Sequence, residues 1–151
     1  MWTSVRVPAS SANLGPGFDA LGLALGIYLQ CRFRPSDALF IEVTGRDCDL
    51  IPAGEENLIW QTALAVARDM RQTIPPVDLR IQNDIPIGKG LGSSAAALTA
   101  GVVIADKLMG LGWKPWRILD EAAKLEGPDA VFGKLAALVA DHGDLEPVAR
   151  F

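Results

Sequence analysis

Alternating hydrophobic and polar positions mark the strands of this chain. Trp2 to Pro8 reads as a short strand that stops at the proline. Leu21 to Phe33 is apolar with Gly22 and Gly26 embedded, and its second half reads as a strand. Leu39, Ile41 and Val43 alternate with Phe40, Glu42 and Thr44, and a turn at Pro35-Ser36-Asp37 predicts that these two segments pair as an antiparallel hairpin. Val77, Leu79 and Ile81 alternate with Asp78, Arg80 and Gln82, a further strand that runs into Asp84-Ile85-Pro86-Ile87. Helical spacing takes over elsewhere. Asn57 to Arg71 puts Ile59, Ala63, Val66 and Met70 on one face, with Asn57 as N-cap and Pro75-Pro76 closing the segment. A second helix starts at Ser93 or Ser94 and runs to about Met109, ended by Gly110 and Gly112. Lys114-Pro115 opens a third, which carries Ile118, Leu119, Ala122 and Leu125. Gly127-Pro128-Asp129 punctuates it, and a last helix is expected from about Ala130 to Ala140. Strands mixed with helices, without regular βαβ alternation, predict an α+β fold.

Composition narrows the class. The chain has 151 residues, half of them hydrophobic, which suits one domain with a buried core and excludes a disordered chain. Its net charge of -4 and pI of about 4.9 exclude the broad positive field that nonspecific nucleic-acid binding needs. A local anion site on backbone N–H groups stays open. Cys31 and Cys48 form neither a disulfide framework nor a metal-ligand spacing, and two free thiols suit a reducing cytosol. Met1 to Pro8 lacks a basic region followed by a long apolar stretch, so no secretory leader is expected. The most apolar run, Ala95 to Ala105, is shorter than the ~20 residues that span a bilayer. The expectation is a soluble, cytoplasmic, acidic globular protein with no nucleic-acid or membrane partner.

Candidate chemistry gathers in turn-rich segments. Ala9-Ser10-Ser11-Ala12-Asn13-Leu14-Gly15-Pro16-Gly17 suits either close backbone approach to a ligand or a plain connector. Pro86-Ile87-Gly88-Lys89-Gly90-Leu91-Gly92-Ser93-Ser94-Ala95-Ala96 sets glycines at alternate positions between a strand and a strong helix. Glycine lets successive N–H groups converge and leaves room where a Cβ would clash. The following helix adds unpaired N–H groups and its positive dipole end. Together these predict an anion cradle, most simply for phosphate, with a glycine-rich hinge as the alternative. Ser93 and Ser94 can cap the helix, bond a phosphate oxygen or ligate a metal. Gly90 directly after Gly88-Lys89 excludes a Walker A loop, and the spacing does not fit a dinucleotide fingerprint. The remaining candidates read as structural. His142 lies in a polar stretch, Trp113 and Trp116 flank a helix junction, Cys31 is a core thiol, and Asp47 and Asp49 around Cys48 form a solvated loop rather than a cation site.

The same segment resembles the P-x-x-x-G-L-G-S-S-A-A phosphate loop of the GHMP small-molecule kinases. Pro8-Ala9-Ser10-Ser11-Ala12-Asn13-Leu14-Gly15-Pro16-Gly17-Phe18-Asp19-Ala20-Leu21-Gly22-Leu23-Ala24-Leu25 resembles the first motif of the homoserine kinase branch, the more specific of the two. The resemblance implies a GHMP kinase amino-terminal domain, similar to domain 2 of ribosomal protein S5, with a mixed sheet packed against helices. It implies phosphorylation of the L-homoserine hydroxyl by ATP with Mg²⁺, in threonine biosynthesis. Residue by residue, it implies that Asn13, Asp19 and Asp129 bind the amino-acid substrate, Asp19 through the substrate ammonium. Asn57 would contact adenine, and Pro86, Gly88, Lys89, Gly90, Leu91, Gly92, Ser93 and Ser94 would hold the triphosphate. Ser94 and Glu126 would ligate Mg²⁺. It assigns no side chain as general base.

Two departures accompany the resemblance. The family's E-G-H-P-D-N run is here Glu126-Gly127-Pro128-Asp129-Ala130, without the histidine and the asparagine. The likeness also covers only an amino-terminal half, with an ATP-binding domain expected over 1–131, an unrecognised helical tail over 132–151 and the carboxy-terminal kinase domain absent. The alternatives are a truncated, non-catalytic nucleotide-binding chain and a GHMP kinase for another small alcohol. An apolar face left for a second domain gives a surface for self-association, with which a homodimer is compatible.

Overall fold

Val77, Leu79 and Ile81 are almost wholly buried, and their strand takes the interior of the sheet. In the computed structural model, which describes residues 1–11 and 23–126, the strands are Thr3–Ser11 (β1), Leu23–Pro35 (β2), Phe40–Gly45 (β3) and Val77–Asn83 (β4). Their order is β1-β2-β4-β3. β2 pairs antiparallel with both β1 and β4, while β3 lies parallel to β4.

This corrects the expected β2–β3 hairpin. The two strands do run in opposite directions, but β4 is inserted between them, with Cys31 opposite Ile81 on one side and Val43 opposite Ile81 on the other. The segment after Pro35 therefore crosses two strand spacings, about 9.5 Å. The Ser36 amide fastens it by donating to the carbonyl of Pro76, just ahead of β4. The physical reason is burial. Ile41 is the one buried side chain of β3, so β3 suits the edge, whereas β4 carries an apolar set that needs neighbours on both sides. Parallel β3 and β4 cannot be joined by a tight turn, and the chain crosses between them through a 3-10 turn, Cys48–Leu50, and helix α1, Leu58–Asp69. One parallel β-α-β unit is thus present, which the sequence pattern did not suggest.

Helices α2 (Ser93–Met109) and α3 (Pro115–Glu126) complete an α+β arrangement, as expected. Val5, Val7, Ala9, Leu29, Phe33, Leu79 and Ile81 form the covered face of the sheet. α2 is buried from Ala95 to Asp106 apart from the half-buried Ala97, and packs on β1, β2, α1 and α3. That explains its lack of a polar stripe, since a helix enclosed on all sides is apolar all round. At its closest contact with α1, a Cβ added to Gly101 would come within 2.5 Å of Thr62 Cβ and 2.6 Å of the Ile59 carbonyl oxygen. Asn57, Pro115 and Gly110 sit at the helix ends that the sequence assigns to them. Among the described residues, no helix is long and apolar enough to cross a membrane.

The opposite face of the sheet is charged. Arg80 donates from Nε to Asp78 Oδ1 and from Nη1 to Glu42 Oε2, each at 2.7 Å, and Arg34 Nη2 reaches Asp78 Oδ2 at 3.3 Å. Hydrogen bonding to Arg80 is the chief cause that holds the Asp78 carboxyl below the usual carboxylate range. A carboxyl depressed in the folded state adds stability that is full above its unfolded pKa of ~3.9 and is lost as pH falls through the folded value. Denaturant unfolding should therefore show stability falling below about pH 4, with a shallower fall in Asp78→Asn. An equal slope in the two proteins would place the acid sensitivity elsewhere.

Candidate functional site

β4 delivers the glycine-rich loop, and its last residue fixes where that loop begins. The buried Asn83 donates from Nδ2 to the carbonyls of Arg46 and Ile85, both at 2.9 Å, and accepts from the Ile85 amide at 3.2 Å. Asp84 donates its amide to the Tyr28 carbonyl at 3.0 Å. Beyond this anchor Gly88, Gly90 and Gly92 adopt left-handed φ values of 74°, 71° and 75°. An anion nest alternates left- and right-handed residues so that successive N–H groups face one side, and alternate left-handed glycines, with Lys89 and Leu91 outside the positive-φ region, suit one. A Cβ at Gly88 or Gly90 would meet nothing within 4 Å, so space beside the loop is open and the backbone angle alone calls for glycine. Lys89 is exposed between them. At the far end the Ser10 amide of β1 donates to the Leu91 carbonyl at 2.9 Å, and a Cβ on Gly92 would collide with the Ser10 hydroxyl.

Neither serine caps α2. Gly92 is the N-cap, in left-handed conformation and with no side-chain capping bond, while Ser93 and Ser94 occupy the first turn. The sequence reading that let a serine cap the helix is corrected here. β1 leaves no room for a Cβ at the capping position, so glycine takes it. The consequence is chemical. Amides of the first turn carry no side-chain cap, and the hydroxyls of the half-buried Ser93 and exposed Ser94 are not spent on capping. An unsatisfied helix start with its dipole favours a negative group.

Beside this helix start opens a mostly apolar cavity of about 210 Å³. Leu50, Ile51 and Pro52 of the crossover form one wall, Asn57, Leu58 and Ile59 another, and Leu29, Ile81 and Asn83 of the sheet the floor. Ile87, Ser93, Ser94 and Ala97 carry it into the loop and helix. The lining is mostly apolar, with the polar residues Asn57, Asn83, Ser93 and Ser94 in it, the make-up of a small-molecule pocket. Asn57 is nearly spent on structure. Its Oδ1 accepts from the amides of Ile59 (3.0 Å) and Trp60 (3.3 Å), and its Nδ2 donates to the Pro52 carbonyl at 2.7 Å, leaving one amide hydrogen.

The structure brings Asn57, Ser93 and Ser94 to one cavity, with Gly88 to Gly92 adjoining. Pro86 and Leu91 are half-buried in the loop, Leu91 against the core. Glu126 ends α3 with a half-buried side chain and is not among the residues lining the cavity. Asn13, Asp19, Asp129 and the helix expected from Ala130 lie outside the described residues. Among the described residues, no group of three or more His, Cys, Asp or Glu side chains is placed to hold a metal ion. Sequence reasoning missed Ser10, Asn83 and Asp47 as supports of the loop. Asp47 accepts from the Ile87 amide at 3.0 Å across forty residues, too far apart for any local spacing to show.

The double use of Asn57 yields a test. Asn57→Ala should lower unfolding free energy by about 1–2 kcal/mol in urea, through loss of the cap and of the donor to Pro52. Asn57→Asp keeps the acceptor and should recover part of it; no loss in either variant would remove Asn57 from the role of cap.

Residues 57–137 match the family model for the GHMP kinases N terminal domain. The chain is 64% identical over 154 aligned residues to the homoserine kinase of Solibacter usitatus (strain Ellin6076), covering 99% of this chain and 51% of that protein. It is 42% identical over 140 residues to the homoserine kinase of Bacillus pumilus (strain SAFR-032), covering 89% of this chain and 45% of that one. Among solved structures, homoserine kinase from Cytophaga hutchinsonii aligns with a TM-score of 0.68 at 26% identity, over 87% of this chain and 44% of that chain. The chain thus spans about half the length of the curated relatives it matches. The glycine loop and the start of α2 fall inside the matched stretch, and the chain belongs to the GHMP kinases through their N-terminal domain.

Proposed function

We propose that residues 1–131 form the ATP-binding domain of a homoserine kinase, which transfers the γ-phosphoryl group of ATP to the side-chain hydroxyl of L-homoserine. The observation that carries this reading is the continuity of three left-handed glycines, a helix start without side-chain capping and an apolar cavity in one site. Identity of 64% to a homoserine kinase along nearly the whole chain supports the choice of acceptor. Phosphoryl transfer depends mainly on positioning and charge neutralisation, and this site is built for both.

The base is assigned to the cavity, where Asn57 keeps one amide hydrogen for a ring nitrogen. The triphosphate is assigned to Pro86, Gly88, Lys89, Gly90, Leu91, Gly92, Ser93 and Ser94, through backbone amides, the Lys89 ammonium and the serine hydroxyls. Mg²⁺, when bound, neutralises charge on the phosphates; Ser94 and Glu126 are the side chains we assign to it. A carboxylate at the C-terminal end of a helix gains from a nearby cation, which supports Glu126 in that role. Asn13, Asp19 and Asp129 are assigned to the amino-acid substrate on their motif positions. No side chain is assigned as a base for the hydroxyl proton. The setting we infer is the cytoplasm, consistent with cysteines that are unpaired, Cys31 buried and Cys48 half-buried.

A second reading is nucleotide binding without turnover by these 151 residues, which uses the same loop and cavity and omits the transfer step. ADP release with Mg-ATP separates the two. Release that depends on L-homoserine supports the kinase, and nucleotide binding with no such release supports the second reading. Ser94→Ala should weaken Mg-ATP binding about tenfold, roughly 1.4 kcal/mol, by calorimetry; unchanged affinity would remove Ser94 from the metal.

A further inference from the structure

Asp47 stands at the N-cap of the 3-10 turn Cys48–Leu50 yet makes no capping bond there. Its carboxylate turns to another segment, where Oδ2 accepts from the Ile87 amide at 3.0 Å. Ile87 immediately precedes Gly88, the first left-handed glycine of the loop, and it also lines the cavity. The backbone that presents Asp47 is itself tied to the end of β4. The Arg46 amide donates to the Asn83 carbonyl at 2.6 Å, and Asn83 Nδ2 donates to the Arg46 carbonyl at 2.9 Å. Gly45, at φ 93°, permits this approach, since a Cβ there would run into the Asn83 carbonyl. Asp47 has φ 54°, a left-handed conformation that aspartate adopts more readily than most residues. Its backbone preference and its acceptor therefore serve the same arrangement.

We propose that Asp47 is a positioning residue for the phosphate loop, holding the Ile87 amide and so setting the direction in which the Gly88 to Gly92 amides face. This rests on the reading of that loop as the seat of the nucleotide phosphates. Asp47 touches no phosphate in this account and acts through Ile87. A carboxylate accepting from a backbone N–H makes a stronger bond than a neutral acceptor, but an amide oxygen in the same place keeps the geometry. The substitution Asp47→Asn would thus preserve the loop, whereas Asp47→Gly suits the left-handed backbone and deletes the acceptor, at the cost of a looser chain at that position.

The test uses the 151-residue chain. Amide exchange at Ile87 is measured by NMR without nucleotide, and calorimetry then gives Kd for Mg-ATP and for adenosine. Expected in Asp47→Gly are faster exchange at Ile87, Mg-ATP binding weakened about tenfold and adenosine binding weakened less than twofold, with Asp47→Asn close to wild type in all three. Unchanged Ile87 exchange, unchanged Mg-ATP affinity, or equal loss of Mg-ATP and adenosine would each overturn the assignment. A wild-type chain that binds neither ligand, while Ile87 exchange responds as expected, overturns the nucleotide reading and with it any role of Asp47 toward phosphate.

Discussion

The carboxamide of Asn83 closes the interior strand of the sheet, and the arrangement of the site follows from its bonds. Its Nδ2 reaches the carbonyls of both Arg46 and Ile85, while its Oδ1 accepts from Ile85. One buried side chain thereby joins the end of β3, the end of β4 and the start of the glycine loop. Buried amide groups are costly unless paired, so this network admits few alternative arrangements of the three segments. The parallel pairing of β3 with β4 brings Gly45 and Asn83 into register, and that register is what makes the junction available.

An acidic protein holding an anion needs donors that do not depend on net charge. Between Pro86 and Ser94 the only basic side chain is Lys89, in a chain of net charge -4. In the proposed site, oriented amides would supply the field instead, with the cost of orienting them met in folding rather than at binding. Leu91 at one end of the loop and Ile87 at the other are fixed by bonds to Ser10 of β1 and to Asp47. The glycines between them are free to face the open space beside the loop.

Much of this was legible in the sequence, for local reasons. Asn57, Pro115 and Gly110 are residues whose chemistry belongs to helix ends, and they occupy those ends. The alternate glycines occupy the left-handed positions of the loop, which is where a residue without a Cβ is needed. What stayed hidden depends on contacts distant in sequence. Alternation of apolar residues gives the face a strand buries, not its neighbours, so β2 and β3 read as a hairpin although β4 lies between them. Ser93 and Ser94 have the chemistry of caps, yet the crowding of Ser10 against Gly92 moved the cap one residue earlier. Asp47 read as solvated because its partner lies forty residues away.

The inserted strand has a consequence for how the chain acquires its structure during synthesis. β2 and β3 emerge before β4, and they run antiparallel with a short connection, so the edge of β2 that β1 leaves open meets β3 before it meets β4. A hairpin formed then would satisfy the same edges that β4 must later occupy. Reaching the native sheet from it requires that pairing to open after α1 and β4 have been made. Exposed edges and provisional strand pairing are the conditions under which chains associate with one another. The strand order that creates the loop's anchor also makes the interval between β3 and β4 the vulnerable stage of folding.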